Sequence, residues 1–205
     1  MASKIKFKQV KEQERNFRRN IIMDAAERLF AAQPFDRVQM REIAREVGLS
    51  PGSIYTYFAD QETLFLETAL RGAAKIEALL DSVADDPDLD VGDLAVRYID
   101  LIMERFEYLR MSQHCILYGK FHNPGSLEKV FTTFRTFFDR FDRILADHLP
   151  EESLRLHTHL LFASLNGILF TFGRYPRRTR EETVTHMRKL ATALADLYRN
   201  HLSIP

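Results

Sequence analysis

The sequence predicts an all-α protein of about nine helices, three in a small N-terminal domain and six in a C-terminal bundle. Two observations carry this. Apolar residues recur at three- and four-residue spacing along most of the chain, and no stretch alternates as a strand would. Only seven prolines and eight glycines occur in 205 residues, and most of them punctuate the ends of those periodic stretches. An apolar fraction of 45% with 28% charged residues is ordinary for a globular protein. The length suffices to bury a substantial core.

The first helix is expected from about Asn16 to Ala32, with Phe17, Ile21, Ala25 and Leu29 every four residues and Ile22, Ala26 and Phe30 widening the stripe. Pro34 ends it by forcing Gln33 out of helical angles. A second helix, Met40 to Val47, sets Ile43 and Val47 on one face beside the small Ala44. Gly48 follows, where the chain leaves the helix at a left-handed angle. Ser50 and Pro51 then start a third helix, a hydroxyl N-cap with proline at the first position. Ile54 and Phe58 turn its apolar face to the second helix. Two short helices joined this way form a helix-turn-helix, whose second helix lies in a DNA major groove. An αα-hairpin with no such role shows the same periodicity.

A long helix begins at Asp60, a good N-cap with Glu62 in the first turn, and continues through Leu64, Leu66, Leu70, Ile76 and Leu80 to about Val83. The acidic stretch Asp85-Asp86-Pro87-Asp88 breaks it. Five more helices are expected: Gly92 to Arg110, Ser112 to Phe121, Asn123-Pro124 to about His148, Glu151 to Gly173, and Thr179 to His201. Leu149-Pro150 and Arg174-Tyr175-Pro176 separate the last three.

The residues Met40-Arg41-Glu42-Ile43-Ala44-Arg45-Glu46-Val47-Gly48-Leu49-Ser50, Gly52-Ser53-Ile54-Tyr55-Thr56-Tyr57-Phe58 and Leu64-Phe65 closely resemble the DNA-binding domain of tetracycline-repressor-type (TetR-family) transcription regulators. Arg19 to Phe30 is similar to that family's first helix. The resemblance spans roughly residues 15 to 66 and leaves the remainder alike only in size and helical pattern. It implies a DNA-binding domain over 1–60 and a ligand-sensing, dimerising domain over 61–205. Four positions depart from the pattern: Pro34 replaces the usual glycine, Gln39 replaces the usual threonine or serine cap, and Ala59 and Gln61 replace lysines that often touch phosphate.

Between Ser50 and Tyr57 the exposed side chains are expected to be Ser53, Tyr55, Thr56 and Tyr57, whose hydroxyls suit phosphates or base edges. One of the two tyrosines is equally at home in the small core. The resemblance implies that Tyr57 contacts phosphate, that Thr56 faces the groove, and that Arg41 and Arg19 reach the backbone. With Ser50 and Gly52 these complete the candidate DNA-binding set. Formal net charge is zero, yet residues 1 to 20 carry seven basic side chains against Glu12 and Glu14. Such a run is either a solvated tail or an arm along the DNA backbone.

In the second half, Phe131, Phe134, Phe137, Phe138 and Phe141 crowd one helix, with Phe162, Phe170 and Phe172 on the next. Such stripes build either a packed core or an apolar cavity, and Tyr118, His157, Asn166 and Thr171 supply the interleaved polar groups of the latter. The resemblance implies a pocket for a small apolar or amphipathic effector, with Phe106, Tyr118, Phe134, Phe138, Phe162, Asn166 and Phe170 as candidate lining. The last helix carries Met187, Leu190, Ala191, Leu194, Leu197 and Tyr198, and the preceding one has small residues at Ala163 and Gly167. These stripes suit a monomer core or a two-fold interface, and the resemblance implies a homodimer through them, at Gly167, Met187, Leu190 and Leu194.

Enzymatic chemistry finds no support. His157 and His159 are two apart and diverge on a helix, so they do not form a metal pair. No phosphate loop or nucleophile elbow occurs. No cofactor is expected. The single cysteine, Cys115, excludes an internal disulfide and reads as a core thiol. No apolar stretch is long enough to span a membrane, and a cytoplasmic location is expected. The resulting expectation is a repressor on a palindromic operator, released by an apolar small molecule. The alternative is a constitutive DNA-binding dimer whose phenylalanines are simply core.

Overall fold

A computed structural model describes residues 2–84, 86, 89–118, 124–146 and 149–202. Among these residues it contains nine α-helices and no strand. They are α1 (Ala2–Ala32), α2 (Met40–Glu46), α3 (Pro51–Ile54), α4 (Gln61–Ala84), α5 (Val91–Glu104), α6 (Phe106–Tyr118), α7 (Pro124–Leu145), α8 (Glu151–Phe172) and α9 (Arg180–Leu202), with a 3₁₀ turn at Phe35–Arg37. The chain forms two compact units, residues 1–72 with 110–127 and residues 73–109 with 128–205, and α4, α6 and α7 contribute to both. Within the expected acidic break only Asp86 is described; Asn123 and His148, expected near the ends of α7, lie outside the described residues.

In the first unit the core joins Ile22, Ala25, Ala26 and Phe30 of α1 to Val38, Ile43, Ala44, Ile54 and Phe58, and to Leu64 and Phe65 of α4. Each large side chain removed from water here stabilises by roughly 1.5–3 kcal/mol. The buried stripe of α1 therefore centres on Ile22 and Ala26. Phe17 and Ile21, expected inside, are exposed, Phe17 by 66%. The helix also starts much earlier than Asn16. Nothing between Ala2 and Gln33 breaks it, since glycine and proline are absent and the lysines, glutamates and glutamines there are good helix formers. The basic stretch is thus part of α1 and not an irregular tail.

Pro34 sits at φ −59°, ψ 149° and leads into the 3₁₀ turn, so the chain leaves α1 without the left-handed residue a glycine would supply. The Phe35 carbonyl accepts from the Gln61 side-chain amide at 3.0 Å, and the Phe35 ring packs with Phe30, Phe65 and His114. Asp60 caps α4 as expected, its carboxylate accepting from the Thr63 N–H at 2.7 Å.

The second unit packs α5 against α8 and α9, and α8 against α9. Leu94, Tyr98, Ile99 and Ile102 of α5 meet a core that includes Phe137 and Phe141 of α7, Leu161, Leu165 and Leu169 of α8, and Met187, Ala191 and Ala195 of α9. The break between α5 and α6 falls at Arg105, well before the expected Ser112. No glycine or proline marks it. The last-turn carbonyl of Met103 accepts from the Arg180 guanidinium at 2.7 Å, a partner 77 residues away that satisfies a group the helix end leaves open.

Candidate nucleic-acid interface

Sequence around Gly48 sets the turn of the hairpin. Gly48 adopts φ +72°, with its N–H donating to the Arg45 carbonyl at 3.2 Å and the Leu49 N–H to the Ala44 carbonyl at 2.8 Å. This is a Schellman termination, which closes the carbonyls at the end of α2 and reverses the chain sharply. At the other end of α2, the Glu42 carboxylate accepts from the Gln39 N–H at 3.1 Å, so Glu42 supports a cap at which the Gln39 side chain is a poor N-cap type.

Ser50 starts α3 as its residue type predicts, accepting from the Ser53 N–H at 3.2 Å. Its hydroxyl also shares a 2.7 Å hydrogen bond with the Ser53 hydroxyl. The α-helix is a single turn, Pro51–Ile54, and continues to Tyr57 through tighter bonds: Thr56 N–H to Ser53 and Tyr57 N–H to Ile54. Ile54 and Phe58 are buried. The side chains left outward are Tyr55, 53% exposed, and Thr56, with Gly52 between them and the helix start. Ser53 and Tyr57 are half-buried, so the second tyrosine is the one drawn toward the core. The Thr56 hydroxyl donates to the Ser53 carbonyl at 2.7 Å.

Three arginines of α1 converge on this turn. Arg15 lies 3.5 Å from the Thr56 carbonyl and Arg18 3.5 Å from the Tyr57 hydroxyl. Arg19 donates to the Tyr57 carbonyl, pairs with Glu67 and stacks on the Phe58 ring at 4.2 Å. Arg19 is therefore committed inside the unit, where sequence reasoning had it reaching outward. Arg41, near the start of α2, is exposed and forms no ion pair among the described residues. Arg15 and Arg18 belong to the basic run expected as either a solvated tail or an arm along the DNA backbone, and three residues apart they share one face of α1. Of the family-departing positions, Ala59 is exposed and Gln61 is spent on the Phe35 carbonyl.

The second unit brings four of the expected effector residues, Phe134, Phe138, Phe162 and Asn166, together as packed neighbours and leaves Phe106 and Phe170 apart from them. Phe162 packs ring to ring with Tyr98, Phe137, Phe138 and Phe141 at 5.1–6.1 Å, and Phe134 reaches this cluster through Phe138. Asn166 is buried beside it with both ends satisfied: its amide donates to the Phe162 carbonyl at 2.8 Å and its oxygen accepts from Tyr98 at 3.4 Å. Burial pushes the Tyr98 hydroxyl well above its usual range, so it stays a neutral donor. Phe170 points out, 38% exposed. Phe106 instead lines a polar cleft of about 260 Å³ with Gly173, Tyr175, Arg178 and Arg180. The Tyr118 side chain lies outside the described residues.

The seam residues also divide. Met187 is 0% exposed and belongs to the core of its own unit, as do Ala191 and Tyr198, so Met187 cannot reach a partner. Leu190 and Leu194 are half-buried and Leu197 is 65% exposed. On α8, Leu156, Leu160, Ala163, Gly167 and Phe170 repeat at four- and three-residue spacing and are all exposed. A Cβ at Gly167 would meet nothing within 4 Å. No helix among the described residues is long and apolar enough to cross a membrane.

Residues 22–68 match the tetR family of bacterial regulatory proteins. The transcriptional repressor AcnR of Corynebacterium diphtheriae is 36% identical over 67 residues, 33% of this chain and 35% of that protein. This chain thus spans about a third of the curated relatives it matches first. A TetR-family regulator of Mesorhizobium loti superposes with a TM-score of 0.64 at 22% identity, over 89% of this chain and 97% of the other. FadR of Bacillus subtilis, solved with stearoyl-CoA, gives 0.66 at 16% identity over 87% and 96%. The hairpin is thus similar in sequence to the tetR family of bacterial regulatory proteins over residues 22–68, and the whole chain shares the all-helical fold of the solved regulators.

Proposed function

We propose that this chain is a homodimeric transcriptional repressor that reads a palindromic operator through residues 1–60 and is released by a largely apolar small molecule sensed by residues 61–205. One observation carries the DNA-reading part: the Gly48 turn and the Ser50 cap present Tyr55 and Thr56 outward, with Arg15 and Arg18 beside the turn and Arg41 exposed near the start of α2. Arginines there supply affinity through phosphates, while the short hydroxyl side chains meet base edges. With no arginine or lysine on α3, base discrimination per half-site is modest. Thr56→Ala relaxes sequence preference.

The exposed stripe from Leu156 to Phe170 on α8, with Leu190, Leu194 and Leu197 on α9, supports a two-fold seam between copies. A dimer is what sets two recognition turns about 34–36 Å apart for one face of the duplex. The stearoyl-CoA of the Bacillus subtilis FadR structure supports an acyl-type effector for this chain. A ligand preferring the DNA-incompetent conformer by about 1.4 kcal/mol changes operator occupancy tenfold. The ring-to-ring packing around Phe162 favours a second reading, a constitutive dimer whose aromatics are core. The protein acts as a regulator in the cytoplasm, without cofactor or catalysis.

Selection of genomic fragments by the purified chain, then gel shift at two salt concentrations, tests the reading. A recovered palindrome is expected. Binding that is weak and indifferent to sequence at both salts removes the operator. Long-chain acyl-CoA added to the complex then separates the two forms, since only the responsive one releases DNA.

A further inference from the structure

We propose that the N-terminal half of α1 is a phosphate rail: Lys8, Lys11, Arg15 and Arg18 track the DNA backbone beside the recognition turn. The inference rests on the DNA-binding reading above and adds to it a surface outside the residues that match the family, 22–68.

Residues 8, 11, 15 and 18 alternate three- and four-residue steps, which places them along one stripe of a continuous helix. Extending the same stripe toward the C-terminus reaches Ile22 and Ala26, both buried in the domain core. The face that packs the domain therefore turns basic where α1 runs past it, and every residue from 6 to 18 is exposed. A solvated tail has no reason to keep its cations in line with the core face.

The inner end of the stripe is fixed against the turn that presents Tyr55 and Thr56. Arg15 approaches the Thr56 carbonyl and Arg18 the Tyr57 hydroxyl, each at 3.5 Å. From Arg18 back to Lys8 the helix covers roughly 15 Å at 1.5 Å per residue. A DNA strand carries a phosphate about every 3.4 Å of rise, so this length spans several. Glu14 pairs with Arg18 at 2.7 Å, whereas Lys8, Lys11 and Arg15 have no ion-pair partner among the described residues. Lys11 rests over the Phe7 ring at 4.8 Å, which steadies the ammonium without neutralising it.

An anionic lipid surface is the other natural occupant of a basic helix that also exposes Phe7, Val10 and Phe17. A lipid-bound helix centres its cations opposite its apolar stripe. Here they lie about a quarter turn from it at 100° per residue, and they end on the recognition turn.

The test compares the full-length chain with its Lys8→Gln/Lys11→Gln variant on operator and scrambled duplexes across salt. Glutamine keeps helix propensity close to that of lysine, and circular dichroism checks that α1 is intact. The expected result is a log–log salt slope shallower by ~1.8, equal on both duplexes, at ~0.9 per phosphate contact. Between 50 and 200 mM salt the wild-type advantage then shrinks about twelvefold. A Lys8→Arg/Lys11→Arg variant keeps the wild-type slope. An unchanged slope in the glutamine variant, with operator still bound, overturns the rail and leaves the regulator reading standing. So does loss of binding to phosphatidylserine vesicles with the DNA slope unaltered. A wild-type chain that binds no DNA at either salt overturns both.

Discussion

The guanidinium of Arg19 donates to the backbone carbonyl of Tyr57, so the first helix holds the recognition turn by its main chain and not by a side chain that could rotate away. The same group pairs with Glu67 of α4 and covers the Phe58 ring, which makes it a joint between three segments. Arg19→Ala is expected to cost about 1–3 kcal/mol, the range for losing a charged hydrogen bond while stranding its partners. Arg19→Lys recovers only part, because an ammonium cannot serve carbonyl, carboxylate and ring as a planar fork does. Thermal unfolding measures both. A phosphate contact at Arg19 would instead flatten the salt slope of DNA binding by ~0.9 in the alanine variant. The positioning role leaves that slope unchanged.

Gly173 closes α8 under the Phe106 ring. A Cβ there would lie 2.6 Å from the Phe106 ring and 2.5 Å from the Leu169 carbonyl. Gly173→Ala should therefore destabilise by about 1–3 kcal/mol, as overpacking does, despite the better helix propensity of alanine. Trimming the ring in Gly173→Ala/Phe106→Leu should recover part of the loss. A single variant as stable as wild type in urea would show that Phe106 has room to move.

His114 stands against the Phe35 and Phe65 rings, and burial lowers its pKa below the ordinary 6.5 despite the nearby Asp36 carboxylate. The unfolded chain then takes up a proton at higher pH than the folded one. The His114 contribution to stability is complete above pH 6.5 and is lost as pH falls from there through the lower folded value. His114→Phe should be less sensitive to acid than wild type between pH 7.5 and 5.5 by chemical denaturation. Parallel curves for the two proteins would rule out this titration.

The exposed face of α8 predicts opposite effects on folding and association. The Cβ of Gly167→Leu meets nothing within 4 Å in its own chain, and leucine is the better helix former by roughly 0.5–1 kcal/mol. The monomer should gain stability while sedimentation shows a dimer weakened about tenfold or more, equivalent to 1.4 kcal/mol. Unaltered association would move the seam away from Gly167.

The parts of this architecture that were legible in the sequence are those set by neighbours in the chain. The glycine at 48, the serine–proline pair at 50 and 51, Pro34 and Asp60 act within a few residues, and each appears where its chemistry requires. Illegible features depend on distant partners. The end of α5 at Arg105 is held by Arg180, and no local breaker announces it. Arg19 turns inward because Glu67 and the Tyr57 carbonyl await it there. Periodicity located the apolar stripe of α9 but could not divide it, since Met187 faces its own core while Leu197, ten residues later, faces out. The phenylalanine-rich stripe has the same spacing whether its rings enclose a space or fill one, and here Phe162 meets four neighbouring rings.

The recognition turn has one further property. What holds it in place is the Gly48 reversal, the Ser50–Ser53 bond, the buried Ile54 and Phe58, and the Arg19 grip on a backbone carbonyl. Tyr55 and Thr56, the side chains it displays, are not among those anchors, and the Thr56 hydroxyl bonds only to its own turn. Scaffold and lettering are separable here. On the proposed reading, exchanges at these two adjacent positions rewrite the vocabulary of target sites while the hairpin that carries them goes on folding as before.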